Sequence, residues 1–311
     1  MKKIIFINLI FIAVLSSCVR TEKIDNFPIE KPKIVVNSFI KNNQPIEFFI
    51  TKSLSSIDNA KIKKVTNAEI KIYENGNLVE TVTKESSNPN SNTIDAYYLS
   101  TIKPKIGNRY SISVSSGTLA TVTADAYLPN ELTNVTGKLG KIDTMVYINN
   151  YSFNNDSAKY NVIIKSGTII LSIPDDPSVK NYYKINLKVE EKYWDGAKWD
   201  YRYRTIFLKN DGGEYDNYNN GLFLTDKLYD GKNIPVKLDM NYSYLATADP
   251  KLKFKVIVTS QSEEKQKYDI SLGQYYQNQD NPFVEPTLVY SNILGGYGIF
   301  ASESEFEIIL E

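Results

Sequence analysis

Histidine is absent from this chain of 311 residues. Its absence removes the Ser-His-Asp triad, the Cys-His pair, the His-ligated zinc site and the histidine general base together. Cysteine occurs once, at Cys18, so no intramolecular disulfide can form. Tryptophan occurs only at Trp194 and Trp199. Glycine-rich phosphate loops are missing. Lys plus Arg equals Asp plus Glu, at 36 each, and the charges form no long blocks. Bulk charge therefore draws the chain to neither nucleic acid nor anionic lipid. The Lys61-Ile62-Lys63-Lys64 cluster reads as a solvated strand edge. Carboxylate pairs, Ser-Lys chemistry and oxygen-ligated cations survive as catalytic options, but no motif points to any of them. The expectation is a non-enzymatic protein with no cofactor and no metal.

What is present begins at the first residues. Lys2 and Lys3 precede an apolar run from Ile4 to Val14 that only Asn8 interrupts, and Leu15-Ser16-Ser17-Cys18 closes it. A charged start, a short apolar core and small residues before a cleavage point make a secretory signal. About a dozen apolar residues is too few to cross roughly 30 Å of hydrocarbon as a permanent helix. Leu15-Ser16-Ser17-Cys18 resembles the bacterial lipobox, in which the cysteine thiol takes a diacylglyceryl group and becomes the mature first residue. The resemblance implies lipidation at Cys18, with palmitate-like chains that hold the protein to its membrane. The organisation that follows is a signal peptide at 1–17 and a lipidated tether at 18–32, polar and marked by Pro28 and Pro32.

From Lys33 the chain reads as short β runs with turn punctuation. Strands are expected at 33–40, 46–51, 68–73, 78–82, 97–99, 109–114 and 119–124. Asn75-Gly76 joins two of them as a tight hairpin, because both residue types tolerate positive φ. Strands at this spacing suggest an immunoglobulin-like β-sandwich over 33–130. The expectation for 131–311 is a larger β-sandwich or half-barrel domain with one helix near 262–280. In that helix Ser262 caps, Glu263 and Glu264 sit in the first turn, and Tyr268, Leu272, Tyr275 and Tyr276 recur at helical spacing. The fold class is all-β. Tyrosine, at 23 residues, suits it, since the ring packs while the hydroxyl reaches water.

Three features are candidates for function. The aromatic hairpin Tyr193-Trp194-Asp195-Gly196-Ala197-Lys198-Trp199, with Tyr201 on the return, reads as cross-strand packing or as a stacking platform for a sugar or partner. The loop at 211–221 carries oxygen ligands without the fixed spacing of a calcium loop. Asp143-Thr144-Met145 and Asp156-Ser157-Ala158 resemble the O-glycosylation acceptor of Bacteroidota, which nominates Thr144 and Ser157, in a region read as lying between strands.

The closing segment is the most specific. Asn281-Pro282-Phe283-Val284-Glu285-Pro286, Val289-Tyr290-Ser291-Asn292-Ile293 and Gly295-Gly296-Tyr297-Gly298-Ile299-Phe300-Ala301 follow in order. Ile34-Val35-Val36-Asn37, Asn67-Ala68-Glu69-Ile70 and Leu224-Thr225-Asp226-Lys227-Leu228-Tyr229-Asp230-Gly231-Lys232 accompany them. Together they resemble an uncharacterised family of Bacteroidota outer-membrane lipoproteins associated with TonB-dependent receptors. The resemblance implies an outer-membrane, lipid-anchored protein at the cell surface, a non-enzymatic accessory or substrate-binding partner of a TonB-dependent transporter barrel. It supplies no catalytic residue. The alternatives are a surface glycan-binding or adhesion module and a carboxylate-dependent hydrolase. Taken by itself, the Gly295 to Gly298 segment reads as a tight turn feeding a core strand.

Overall fold

The computed structural model describes residues 31–54, 63–87, 96–117, 119–153, 156–209, 214–216, 221–245 and 253–311. Cys18, the leader, nearly all of the tether and most of the 211–221 loop lie outside them. The chain divides into two units. One, Met1–Lys31 with Leu54–Ala60, has only Lys31 and Leu54 among the described residues; the other, Pro32–Ser53 with Lys61–Glu311, carries all the described elements.

That second unit is all-β with one helix. Its first eight strands are β1 (Ile34–Lys41), β2 (Glu47–Lys52), β3 (Lys63–Lys64), β4 (Glu69–Glu74), β5 (Asn77–Val82), β6 (Ala96–Leu99), β7 (Arg109–Ser116) and β8 (Leu119–Tyr127). Then come β9 (Thr136–Phe153), β10 (Asp156–Ile173), β11 (Tyr182–Trp194), β12 (Trp199–Ile206), β13 (Leu208–Lys209), β14 (Glu214–Asp216), β15 (Gly221–Thr225), β16 (Ile234–Leu245) and β17 (Phe254–Gln261). The helix α1 (Glu263–Asn278) and the last strand β18 (Tyr297–Leu310) complete the chain's elements.

Local chemistry sets most of these. In β1, Ile34, Val36, Ser38 and Ile40 are buried while the residues between them are not, the period of two that a pleated strand imposes. Asn75 and Gly76 both take positive φ, 49° and 84°, and turn β4 into β5. Tyr98 shows how a buried tyrosine can satisfy its hydroxyl. Wholly shielded from solvent, it donates to the Val65 carbonyl at 2.8 Å and accepts from the Ala68 N–H at 3.0 Å.

The strands form three sheets. One is antiparallel, in the order β5-β4-β7-β8. A ten-stranded sheet runs β14-β15-β11-β17-β18-β1-β2-β3, with β12 also on β11 and β6 also on β2. A third runs β13-β16-β10-β9. Two cores lie between them. Ile34, Val36 and Phe48 meet Ile70, Ile112 and Val122 in the first, which Ile293 and Phe300 rejoin from the end of the chain. Ile185, Leu187, Val256 and Val258 meet Ile169, Leu171, Leu238 and Met240 in the second. Each such side chain contributes about 1.5–3 kcal/mol by leaving water.

The link from one end of the chain to the other is β18, parallel to β1 and antiparallel to β17. Gly298 makes it possible. It sits opposite Val36 at φ 102°, and a Cβ there would lie 2.1 Å from the Val36 carbonyl oxygen. No other residue could start the strand so close to its neighbour.

Two sequence expectations need correction. Residues 136–153 form a strand of 18 residues, so Asp143-Thr144 and Asp156-Ser157 lie on β9 and β10, not between strands. Gly137, Gly140 and the Asn149-Asn150 pair dilute the local β signal there, and pairing along β10 overrides it. The helix is capped by Ser262, whose side chain accepts from the Lys265 N–H, but its buried residues are Lys265, Gln266, Asp269 and Gly273. Tyr275 and Tyr276 are exposed instead, because the sheet surface beneath α1 is polar.

Candidate functional site

The face of the ten-stranded sheet opposite the second core explains that polar burial. Lys184, Thr259 and Gln261 alternate with the core residues of β11 and β17, so they point to the helix side. There Asp269 Oδ2 receives Lys265 Nζ at 2.6 Å, Gln261 Nε2 at 2.9 Å and Lys184 Nζ at 3.4 Å. Lys265 also reaches Glu303 at 3.4 Å, and Glu303 pairs with Lys41 at 3.1 Å. Burial pulls the Lys41 ammonium down, and Glu303 and Glu305 more than offset it, so its pKa is raised. Gln266 Nε2 donates to the carbonyls of Leu224 and Tyr183 at 3.2 and 3.3 Å. Phe39 and Phe223 close the layer, each beneath a lysine ammonium. These charges neutralise one another and fasten the helix.

What α1 carries outward is different in kind. After Asn278 the chain runs without helix or strand to Gly296, apart from an isolated bridge at Leu294, as a strap. Pro282 follows Asn281 and disfavours further helix at that residue. The strap is tied down repeatedly. Asn281 Oδ1 accepts from the Phe283 N–H at 3.1 Å, Asn278 donates to Thr287 at 3.0 Å, and the Tyr290 N–H donates to Ser271 Oγ at 2.8 Å. Asn292 clasps Phe300 through both its backbone groups, at 2.9 and 2.7 Å. Leu294 exchanges backbone hydrogen bonds with Thr123 of β8.

This fixed backbone holds apolar side chains in water. Phe283 is 95% exposed and Leu288 89%, with Val284, Leu294, Tyr275 and Tyr276 exposed along the same stretch. Apolar side chains kept in solvent along an anchored loop are a candidate docking surface. Its electrostatics are one-sided. No Lys or Arg occurs after Lys267, whereas Asp280 and Glu285 flank the apolar residues.

The residues nominated from sequence fall elsewhere. β11 and β12 form the expected aromatic hairpin, with Trp194 opposite Trp199 in register. Gly196 at φ 101° turns the tip, and Asp195 accepts from the Ala197 and Lys198 N–H groups at 2.8 and 2.7 Å. Those two donors, Lys198 first, hold the Asp195 carboxyl below the usual range. Tyr193 pairs with Asp200 and Tyr201 with Lys192, so the two tyrosines lie on opposite faces and form no common platform. Tyr193 stacks under Arg202 at 4.9 Å, while Tyr201 is half exposed. Thr144 lies on β9, where its hydroxyl accepts from Lys165 at 2.7 Å. Ser157 pairs with Ser152 across the β9–β10 ladder.

One cleft of about 280 Å³ brings Asp175 and Asp176 beside Asn130, Asn181 and Tyr183. Both carboxylates are committed to the fold. Asp175 accepts from the Tyr183 hydroxyl and the Gly231 N–H, each at 2.8 Å. Asp176 accepts from the Ser178 hydroxyl and N–H and from Asn130, which lower its pKa in that order. Among the described residues no group of three or more Cys, Asp or Glu stands close enough to hold a metal ion.

The strap was not read as a surface from the sequence, where Phe283 and Val284 entered only as part of a family signature. Two prolines and two Asx-type residues within the seven positions from Asp280 to Pro286 are the signal that could have marked it as an exposed turn.

A family model described as Domain of unknown function (DUF4249) matches residues 20–309. No curated protein matches the chain. Among solved structures, the collagen adhesin CNA from S. aureus is similar at 8% identity, over 91% of this chain and 94% of that one, with a TM-score of 0.15. A likeness that low transfers neither fold nor activity.

Proposed function

We propose, from the premise that this chain belongs to the DUF4249 family, that it is a lipid-anchored outer-membrane protein serving as a non-enzymatic accessory of a transporter barrel. Acylation at Cys18 would leash the folded β body to lipid, and the strap would dock it on the barrel. The observation that carries this reading is the strap itself, which keeps Phe283 and Leu288 in water on an anchored backbone. A free, monomeric envelope protein gains nothing from such an arrangement, whereas a membrane partner that covers it gains apolar area. The leader ending in Leu15-Ser16-Ser17-Cys18 supports the anchor, and the sequence resemblance supports a TonB-dependent barrel as partner.

Solubilisation in mild detergent tests the docking step. A barrel should co-purify with the native chain and be lost from the Phe283→Ser, Leu288→Ser double variant. Recovery of the native chain alone would count against it. Labelling with palmitate tests the anchor separately, since Cys18→Ser must abolish incorporation.

A second reading, a glycan-binding or adhesion module, has one observation in its favour: Tyr201 and Tyr203 stand exposed on one face of β12. Loss of polysaccharide retention in Tyr201→Ala, with barrel recovery unchanged, would select it over the first.

A further inference from the structure

The third sheet ends on β9, and among the described residues β10 is the only strand bonded to it. Among the described residues one long side of β9 is therefore unpaired. Free backbone N–H and C=O groups along an edge template the addition of another strand, and folded proteins guard against this with charges or short edges. The other edges among the described strands obey that rule. β3 is Lys63 and Lys64, β5 carries Glu80, β8 Asp125, β12 Arg202 and Arg204, β13 Lys209, and β14 Glu214 and Asp216. β6 is only four residues long.

The outer part of β9 has no such guard. From Thr144 to Phe153 it contains no charged residue. The nearest charges along the strand, Lys141 and Asp143, neutralise each other at 2.9 Å, and Lys165 of β10 donates to the Thr144 hydroxyl at 2.7 Å. Met145, Val146, Tyr147 and Ile148 are each more than half exposed, and strand alternation gives both faces an apolar pair. Tyr147 and Ile148 with Val162 and Ile164 also line a shallow groove of about 350 Å³. The register shift beside Gly167 falls before this stretch and leaves it regular.

We infer that β9 pairs with β9 of a second copy of this chain, antiparallel about a two-fold axis near Val146, joining the two third sheets into one. Charge selects the occupant. A surface that meets its own copy must not repel it, and an uncharged ten-residue edge satisfies that in any antiparallel register. The strap, with Asp280 and Glu285 and no cation, would repel its own copy and so fits a different partner. Apolar residues on both faces let each copy extend the other's apolar surface above and below the joined sheet, the side-chain half of strand addition.

The full-length chain in detergent tests this directly. Its mass by light scattering should be that of two chains. Val146→Lys and Tyr147→Lys replace exposed residues, so the fold should survive, as read by circular dichroism, while the dimer fraction falls about tenfold or more because pairing would bury unmatched ammonium groups. Single cysteines at 145, 146, 147 and 148 should cross-link to the same residue of a second copy at one position above the others, with the parent chain, whose only cysteine is Cys18, as control. A monomeric mass, dimers indifferent to Val146→Lys, or cross-links only to a foreign protein would each overturn the inference. Barrel recovery through the strap is a separate readout and stands or falls independently.

Discussion

Asp269 and Lys265 meet at 2.6 Å beneath α1, one helical turn apart, with side chains 8% and 11% exposed. Their pairing reverses the usual logic of a surface helix, which buries an apolar stripe. Two further donors, Lys184 and Gln261, converge on the same carboxylate oxygen. Asp269→Ala would remove the carboxylate that the Lys265 and Lys184 ammonium groups share under the helix. Breaking a buried pair from one side costs about 3–5 kcal/mol. Urea denaturation should show that loss, and hydrogen exchange should show α1 opening first. A double variant, Lys265→Met with Asp269→Leu, should recover a good part of it, because the layer contributes less to stability than its disruption removes.

Gly298 gives the second expectation. With φ at 102° and the Val36 carbonyl where a Cβ would go, alanine cannot be seated without moving β18 off β1. Gly298→Ala should destabilise by about 3 kcal/mol or more, the range of core and strain mutations. Gly76→Ala, at a turn with open space around it, should cost distinctly less. Thermal melts of the two variants side by side check the ranking.

For the strap the expectation is an asymmetry. Phe283→Ser and Leu288→Ser remove side chains that touch little, so unfolding free energy should stay within about 0.5 kcal/mol of the parent. Partner recovery should nevertheless collapse. If stability fell instead by several kcal/mol, these residues would be structural and the docking reading would lose its support.

Some of this was legible before any coordinates. Asn75-Gly76 announced its hairpin because only a few residue types tolerate positive φ, and Ser262 announced α1 because an orphan N–H needs a side-chain acceptor. The Gly-rich turn before β18 was legible for the same reason, although its neighbour was not. That β18 lies parallel to β1, from the far end of the chain, is a pairing no local pattern encodes. The length of β9 was hidden by glycines and asparagines. The polar face of α1 was hidden because Lys265 and Asp269 look like solvated residues until the sheet beneath them proves charged. The strap as a surface was missed for the opposite reason. Apolar residues count as core in any pattern, and only their placement shows them in water.

The last expectation concerns pH, and its sign follows from the tyrosines. Burial, then a 2.8 Å hydrogen bond to Glu47, pushes the Tyr97 hydroxyl up to about 12. Burial likewise raises Tyr98, Tyr110 and Tyr183, the last also through Asp175. A group whose folded pKa exceeds its unfolded value binds its proton more tightly in the native state. Its contribution is intact below the unfolded value, about 10, and is lost as pH climbs through the folded one. On the acid side Asp176, lowered by Ser178 and Asn130, and Glu263, lowered first by Lys267, act in reverse. Their contribution is present above the unfolded carboxylate range, about 4, and disappears as pH falls through the depressed values. Stability should therefore form a plateau bounded below pH 4 and above pH 10, with each raised tyrosine steepening the alkaline fall by up to about 1.4 kcal/mol per pH unit. Denaturation at intervals from pH 9 to 12 checks it, and Tyr97→Phe should flatten the curve between 10 and 12. An alkaline limb unchanged by that substitution would mean that Tyr97 titrates alike in both states and that its bond to Glu47 does not hold the proton.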